Sequence, residues 1–116
     1  MLKGLETILF FCPEPLKTAT WYAELLSTTV QIENPNFVTV QGPGVLLGFH
    51  PEDKKNQAGN GSTIAYWQVE DFEHALGLLQ TKGANLYRGP INNQDHRNLA
   101  MLTDPFGNNI GIIEVP

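Results

Sequence analysis

Asp104-Pro105-Phe106-Gly107-Asn108-Asn109-Ile110-Gly111-Ile112-Ile113-Glu114 reads as a strand end, a tight turn and a returning strand. Pro105 presets φ for the first central turn position and Gly107 tolerates positive φ. Asp104 and Asn108 have short side chains that bond nearby backbone. The β-branched residues Ile110, Ile112 and Ile113 favour the strand that follows.

Outward from this hairpin the same grammar recurs. Strands are expected over 86–89, 98–103 and 108–115, and the second half opens with a strand over 63–69. Between them Asp71 caps a helix whose Phe72, Ala75, Leu76 and Leu79 form the inward stripe, and Gly83 ends it. In the first half, residues 6–12 (ETILFFC) form an apolar strand that Pro13 and Pro15 stop. Pro15 suits the first position of a helix, with Glu14 as its cap. That helix runs to about Leu26 and turns Ala19, Tyr22 and Leu26 inward. Strands over 28–33, 36–41 and 44–50 follow, separated by turns at Asn34-Pro35 and Gly42-Pro43-Gly44.

An offset of 57 superposes the halves: Cys12 falls on Val69, Glu14 on Asp71, Ala19 on Leu76 and Tyr22 on Leu79. Both helices thus begin at a carboxylate, where the macrodipole favours one. Internal duplication is a signal at the level of the fold. The expectation is one α+β domain over 1–116, made of two βαβββ modules (1–50 and 63–116) joined by a polar, solvated connector at 51–62.

A chain of 116 residues can bury a core of its own, and 41% hydrophobic with 16% charged residues is ordinary globular material. The formal charge is −5, and the seven Lys and Arg residues are scattered, so no basic patch offers itself to nucleic acid. Cys12 is the only cysteine, which excludes an intrachain disulfide or a thiolate metal cluster and leaves it as a small buried hydrophobe. Residues 2–12 are too short and too interrupted to cross a bilayer, and no leader pattern precedes them, so a cytoplasmic protein is expected.

The Asp-Pro-x-Gly-Asn turn with its alternating strand, set at the end of a duplicated βαβββ order, resembles the vicinal oxygen chelate superfamily. That group holds glyoxalase I, the bleomycin-resistance proteins, the fosfomycin-resistance enzymes and the extradiol dioxygenases. The resemblance implies tandem modules forming a curved mixed sheet, and a homodimer. In metal-dependent members each module supplies a His, Gln or similar residue from its first strand and a Glu from its last. Carried over, the first-strand positions fall on Thr7 and Ile64, and the last-strand positions on Gly48 and Gly111. Hard oxygen or imidazole donors are what such an ion needs, and this set has only a neutral hydroxyl. Glu6 and Glu114 have the wrong strand parity, and His50, with the right parity, is a single imidazole. No metal, other cofactor or catalytic residue is therefore assigned.

What the pattern leaves is a cavity. By alternation Thr7, Leu9 and Phe11 line it from the first strand, Ile64, Tyr66 and Gln68 from the fifth, and Leu99 and Met101 from the seventh, with His50 at a strand end. Ile8, Phe10, Ala65, Trp67 and Leu102 pack beneath the helices, and the two glycines widen the cavity floor. An apolar pocket with a few polar handles suits a flat, partly aromatic small molecule. The first expectation is thus a metal-free binding protein of the glyoxalase/bleomycin-resistance type. An enzyme remains the alternative, either metal-dependent through other ligands or using His50 or Tyr66 as an acid–base group. A third reading is an interaction module with a vestigial pocket. His74 reads as part of a solvated helix face, and His96 as part of the polar run 92–97, a surface loop or a rim.

Overall fold

Each half of the chain turns its apolar alternation into a four-stranded sheet with one helix on one face. The computed structural model describes residues 1–59 and 61–116; Asn60, inside the expected connector, lies outside the described residues. The chain divides into two compact units, Met1–Ala58 and Gly59–Pro116.

In the first unit, β1 (Thr7–Cys12), α1 (Pro15–Leu25), β2 (Val30–Asn34), β3 (Phe37–Gly42) and β4 (Val45–Pro51) form a sheet in the order β1-β4-β3-β2. β1 runs parallel to β4, and the other pairs are antiparallel. Phe10, Phe49 and Tyr22 meet beneath α1, with Phe10 stacked on Phe49 at 5.1 Å between ring centroids. Cys12, Ala19, Val40 and Leu47 complete a fully buried layer. Burial of the Val, Leu and Phe side chains among these contributes roughly 1.5–3 kcal/mol each.

The second unit repeats the plan. β5 (Tyr66–Val69), α2 (Phe72–Thr81), β6 (Asn85–Asn92), β7 (Asn98–Thr103) and β8 (Asn109–Glu114) give the order β5-β8-β7-β6, again with the first strand parallel to the last. Phe72, Leu76 and Leu79 are buried with Ala100, Leu102, Ile110 and Ile112. The duplication read from the offset is therefore a duplication of topology.

Three details differ from expectation. β5 begins at Tyr66 instead of Thr63, because its ladder with β8 starts at the pair Tyr66↔Gly111, just after the Gly111 N–H donates to the Ala65 carbonyl. β6 extends from Asn85 to Asn92, straight through Pro90, with register shifts on both sides of Arg88. It is an edge strand, where a missing N–H costs little and bulges absorb extra residues. Finally, only one carboxylate caps its helix. Asp71 accepts from the His74 N–H at 3.0 Å, whereas Glu14 makes no side-chain cap and pairs with Lys17 at 3.3 Å.

The helix C-termini show a second asymmetry. Gly83 follows α2 with φ +100, and the Ala84 N–H reaches the Leu79 carbonyl. Ser27 occupies the same place after α1 with φ 52, and the Thr28 N–H reaches the Ala23 carbonyl. A non-glycine residue in the left-handed region costs about 1–2 kcal/mol, partly offset by the extra unfolded-state freedom that glycine would bring. Ser27→Gly is expected to stabilise the chain by roughly 0.5–1 kcal/mol. An unchanged or lower urea midpoint would contradict that.

In the connector, the backbone N–H groups of Asn56 and Lys55 donate to Asp53 and hold its carboxyl below the usual carboxylate range. Among the described residues no helix is long and apolar enough to cross a membrane.

Candidate functional site

Because strand side chains alternate, burying one face of each sheet under a helix exposes the other. The candidate residues divide between these two helix-free faces, four in each unit, and each unit is described by itself.

In the first unit the register Thr7↔Leu46, Leu9↔Gly48 and Phe11↔His50 puts Thr7, Leu9, Phe11 and His50 on one face, as alternation predicts. Leu9 is 46% exposed, while Thr7, Phe11 and His50 are half-buried. The Phe11 and His50 rings lie 5.5 Å apart. His50 Nδ1 is 2.7 Å from the Pro51 carbonyl oxygen. A carbonyl only accepts, so Nδ1 carries the proton, and in the neutral tautomer that fits this contact Nε2 is the acceptor.

Gly48 does not widen this floor. A Cβ built there would lie 2.8 Å from Phe37 Cε1 and 3.1 Å from Leu9 Cδ1, so side chains already occupy the space above it. Phe37 was missed from sequence, although its parity with Thr39, the register partner of Gly48, was a usable signal. Thr39 Oγ1 donates to Glu33 Oε1 at 3.2 Å, at the polar end of the same face.

The second unit repeats the arrangement with different residues. One row across the sheet reads Tyr66, Gly111, Met101, Arg88, and the next Gln68, Ile113, Leu99, Ile91. Tyr66, Gln68 and Met101 therefore share the helix-free face. Ile64 lies just outside β5 and is half-buried. Here too the glycine is covered: a Cβ at Gly111 would lie 2.7 Å from Tyr66 Cδ1 and 3.0 Å from the Ala65 carbonyl oxygen. The expectation that two glycines enlarge a hollow is corrected, since each is the seat of a neighbouring aromatic ring. Asn109 Oδ1, one register row beyond, is buried with no hydrogen-bond partner among the described residues.

In the second unit the β8 carboxylate stands apart from this face. Glu114 shares the parity of Ile110 and Ile112, and its oxygens accept from the Asn98 N–H and Nδ2 at 3.3 Å. Among the described residues no three His, Cys, Asp or Glu side chains are grouped so as to hold a metal ion. The run 92–97 is a tight hairpin, with Asn93 Oδ1 accepting from the Asp95 and Arg97 N–H groups at 3.0 Å. His74 and His96 are both exposed.

No family model matches the chain, and neither does any curated protein. Solved structures do. A member of the glyoxalase/bleomycin resistance protein/dioxygenase superfamily from Sphaerobacter thermophilus superposes with a TM-score of 0.79 at 19% identity, covering 98% of each chain. A glyoxalase/bleomycin resistance protein/dioxygenase family enzyme from Burkholderia phytofirmans gives 0.78 at 18% identity, covering 95% of this chain and 97% of its own. The oxidase ChaP-H2 gives 0.73 at 22% identity, covering all of this chain and 96% of its own. At such identities the likeness is one of fold.

Proposed function

We propose that this chain, which carries the glyoxalase/bleomycin-resistance/dioxygenase fold, binds a small, partly aromatic molecule on the helix-free face of a sheet and holds it without a metal ion. One observation carries the reading. Where metal-dependent relatives are expected to place a carboxylate, Gly48 and Gly111 each lie under an aromatic ring, from Phe37 and Tyr66. Rings stand where donors would be needed. Glycine and isoleucine supply none, and the Thr7 hydroxyl is one weak neutral donor, so the residues present do not fit a divalent ion.

In the second unit Tyr66 supplies stacking and Gln68 orientation; in the first, taken by itself, Phe11 supplies stacking and His50 orientation. A homodimer belongs to this reading. The test is equilibrium binding of a panel of one- and two-ring aromatic compounds in the presence of a chelator. Saturable binding that the chelator does not alter is expected, and Tyr66→Ala should weaken it about tenfold or less. Absence of saturable binding across the panel, or binding that needs an added divalent ion, would overturn the proposal.

A second reading, metal-free acid–base catalysis, draws on the acceptor Nε2 of His50 beside the Phe11 ring. Turnover of a bound panel compound that His50→Gln abolishes, with binding retained, would favour it over sequestration.

A further inference from the structure

We infer that the bound molecule carries an anionic group and that Arg88 is the residue that selects it; this deepens the proposed binding reading and rests on it. The register step from Leu86↔Leu102 to Arg88↔Met101 leaves two residues of β6, Tyr87 and Arg88, opposite the single residue Met101. A bulge of this kind re-aims side chains at the edge of a sheet. It puts Arg88 in the same row as Met101, Gly111 and Tyr66, at the opposite end from the tyrosine ring. Three strand spacings separate β5 from β6, roughly 14 Å. One or two fused rings together with the reach of the arginine span that interval.

Charge points the same way. Among the described residues of β5–β8 the charged ones are Arg88 and Glu114, and of these Arg88 has the parity of the helix-free face. Glu114 has the opposite parity and is held by Asn98. The Asp104 carboxylate is engaged by the Phe106 and Asn108 N–H groups. Glu70 lies between β5 and the N-cap Asp71, Glu73 in the first turn of α2, and Asp95 in the 92–97 hairpin. Arg97 donates through Nε to the Glu114 carbonyl. Arg88 is exposed, and among the described residues no carboxylate is paired with it. A chain of net charge −5 repels anions at long range, but that repulsion is screened beyond about 8 Å at physiological ionic strength. Close in, a planar guanidinium over an apolar, carboxylate-free row decides the preference, and its fork matches a carboxylate or phosphonate.

The test compares 1-naphthoate with its neutral isostere 1-naphthamide by NMR titration of the intact chain. The wild type is expected to bind naphthoate about tenfold more tightly than naphthamide. Arg88→Gln should bring the two probes to the same affinity, and Arg88→Lys should keep part of the preference. Lys17→Gln, which makes the same change in net charge on α1, should keep all of it. Equal affinity for the two probes in the wild type, or a preference that survives Arg88→Gln, would overturn the inference and leave the binding reading standing. Failure of both probes while another panel compound binds would overturn the inference alone, and failure across the whole panel would overturn both.

Discussion

Asp104→Ala is expected to destabilise the chain by roughly 2–4 kcal/mol, while Asp104→Asn costs less than about 1 kcal/mol. Asp104 is 2% exposed, and its Oδ1 accepts from the Phe106 N–H at 2.8 Å and the Asn108 N–H at 3.0 Å. Its own N–H donates to the Asn108 carbonyl at 2.7 Å, and its carbonyl accepts from the Gly107 N–H at 3.3 Å. The turn is thus tied by backbone on one side and by the side-chain oxygen on the other. Alanine keeps the backbone ties but strands two donors, and Asn108 sits in a buried position where water cannot replace the acceptor. Asparagine keeps an acceptor oxygen of the same reach and loses only the charge assistance. Urea unfolding of the two variants checks the ordering. Equal losses for both would mean that the carboxylate charge, not its geometry, holds the turn.

Gly111→Ala is expected to cost about 2 kcal/mol and to weaken aromatic binding as well. The added methyl would lie 2.7 Å from the Tyr66 ring and 3.0 Å from the Ala65 carbonyl oxygen. The ring can rotate away, but that carbonyl accepts from the Gly111 N–H at 3.0 Å and is fixed by the ladder. Gly48→Ala should cost less, near 1 kcal/mol, because its close neighbours are side-chain atoms of Phe37 and Leu9 that can shift. Combining Tyr66→Ala with Gly111→Ala should recover part of the loss, since the pair shares one space. Strict additivity in the double variant would show that the ring and the glycine are energetically independent.

Most of the fold was legible because it rests on local rules that repeat. Period-2 apolar runs, a helix opened by Pro15, a helix capped by Asp71 and a terminator at Gly83 each act within a few residues. The offset of 57 then showed the same sequence of elements twice. Strand parity also carried the candidate residues, since Thr7, Leu9, Phe11 and His50 share one face and Tyr66, Gln68 and Met101 another. Glu14 was misread as a cap because both helices begin with a carboxylate, yet its longer side chain turns to Lys17 while the shorter Asp71 closes on the backbone.

What sequence alone determined about this protein is which side chains face a helix and which face away, because alternation is a property of each strand taken singly. The tertiary structure decided what covers each of those faces. Phe37 reaches Gly48 from another strand, Tyr66 reaches Gly111 across the β5–β8 pairing, and a bulge in an edge strand brings Arg88 opposite Met101. Each of these depends on the register between strands distant in sequence, and a shift of a single residue would send the same side chains to the opposite face.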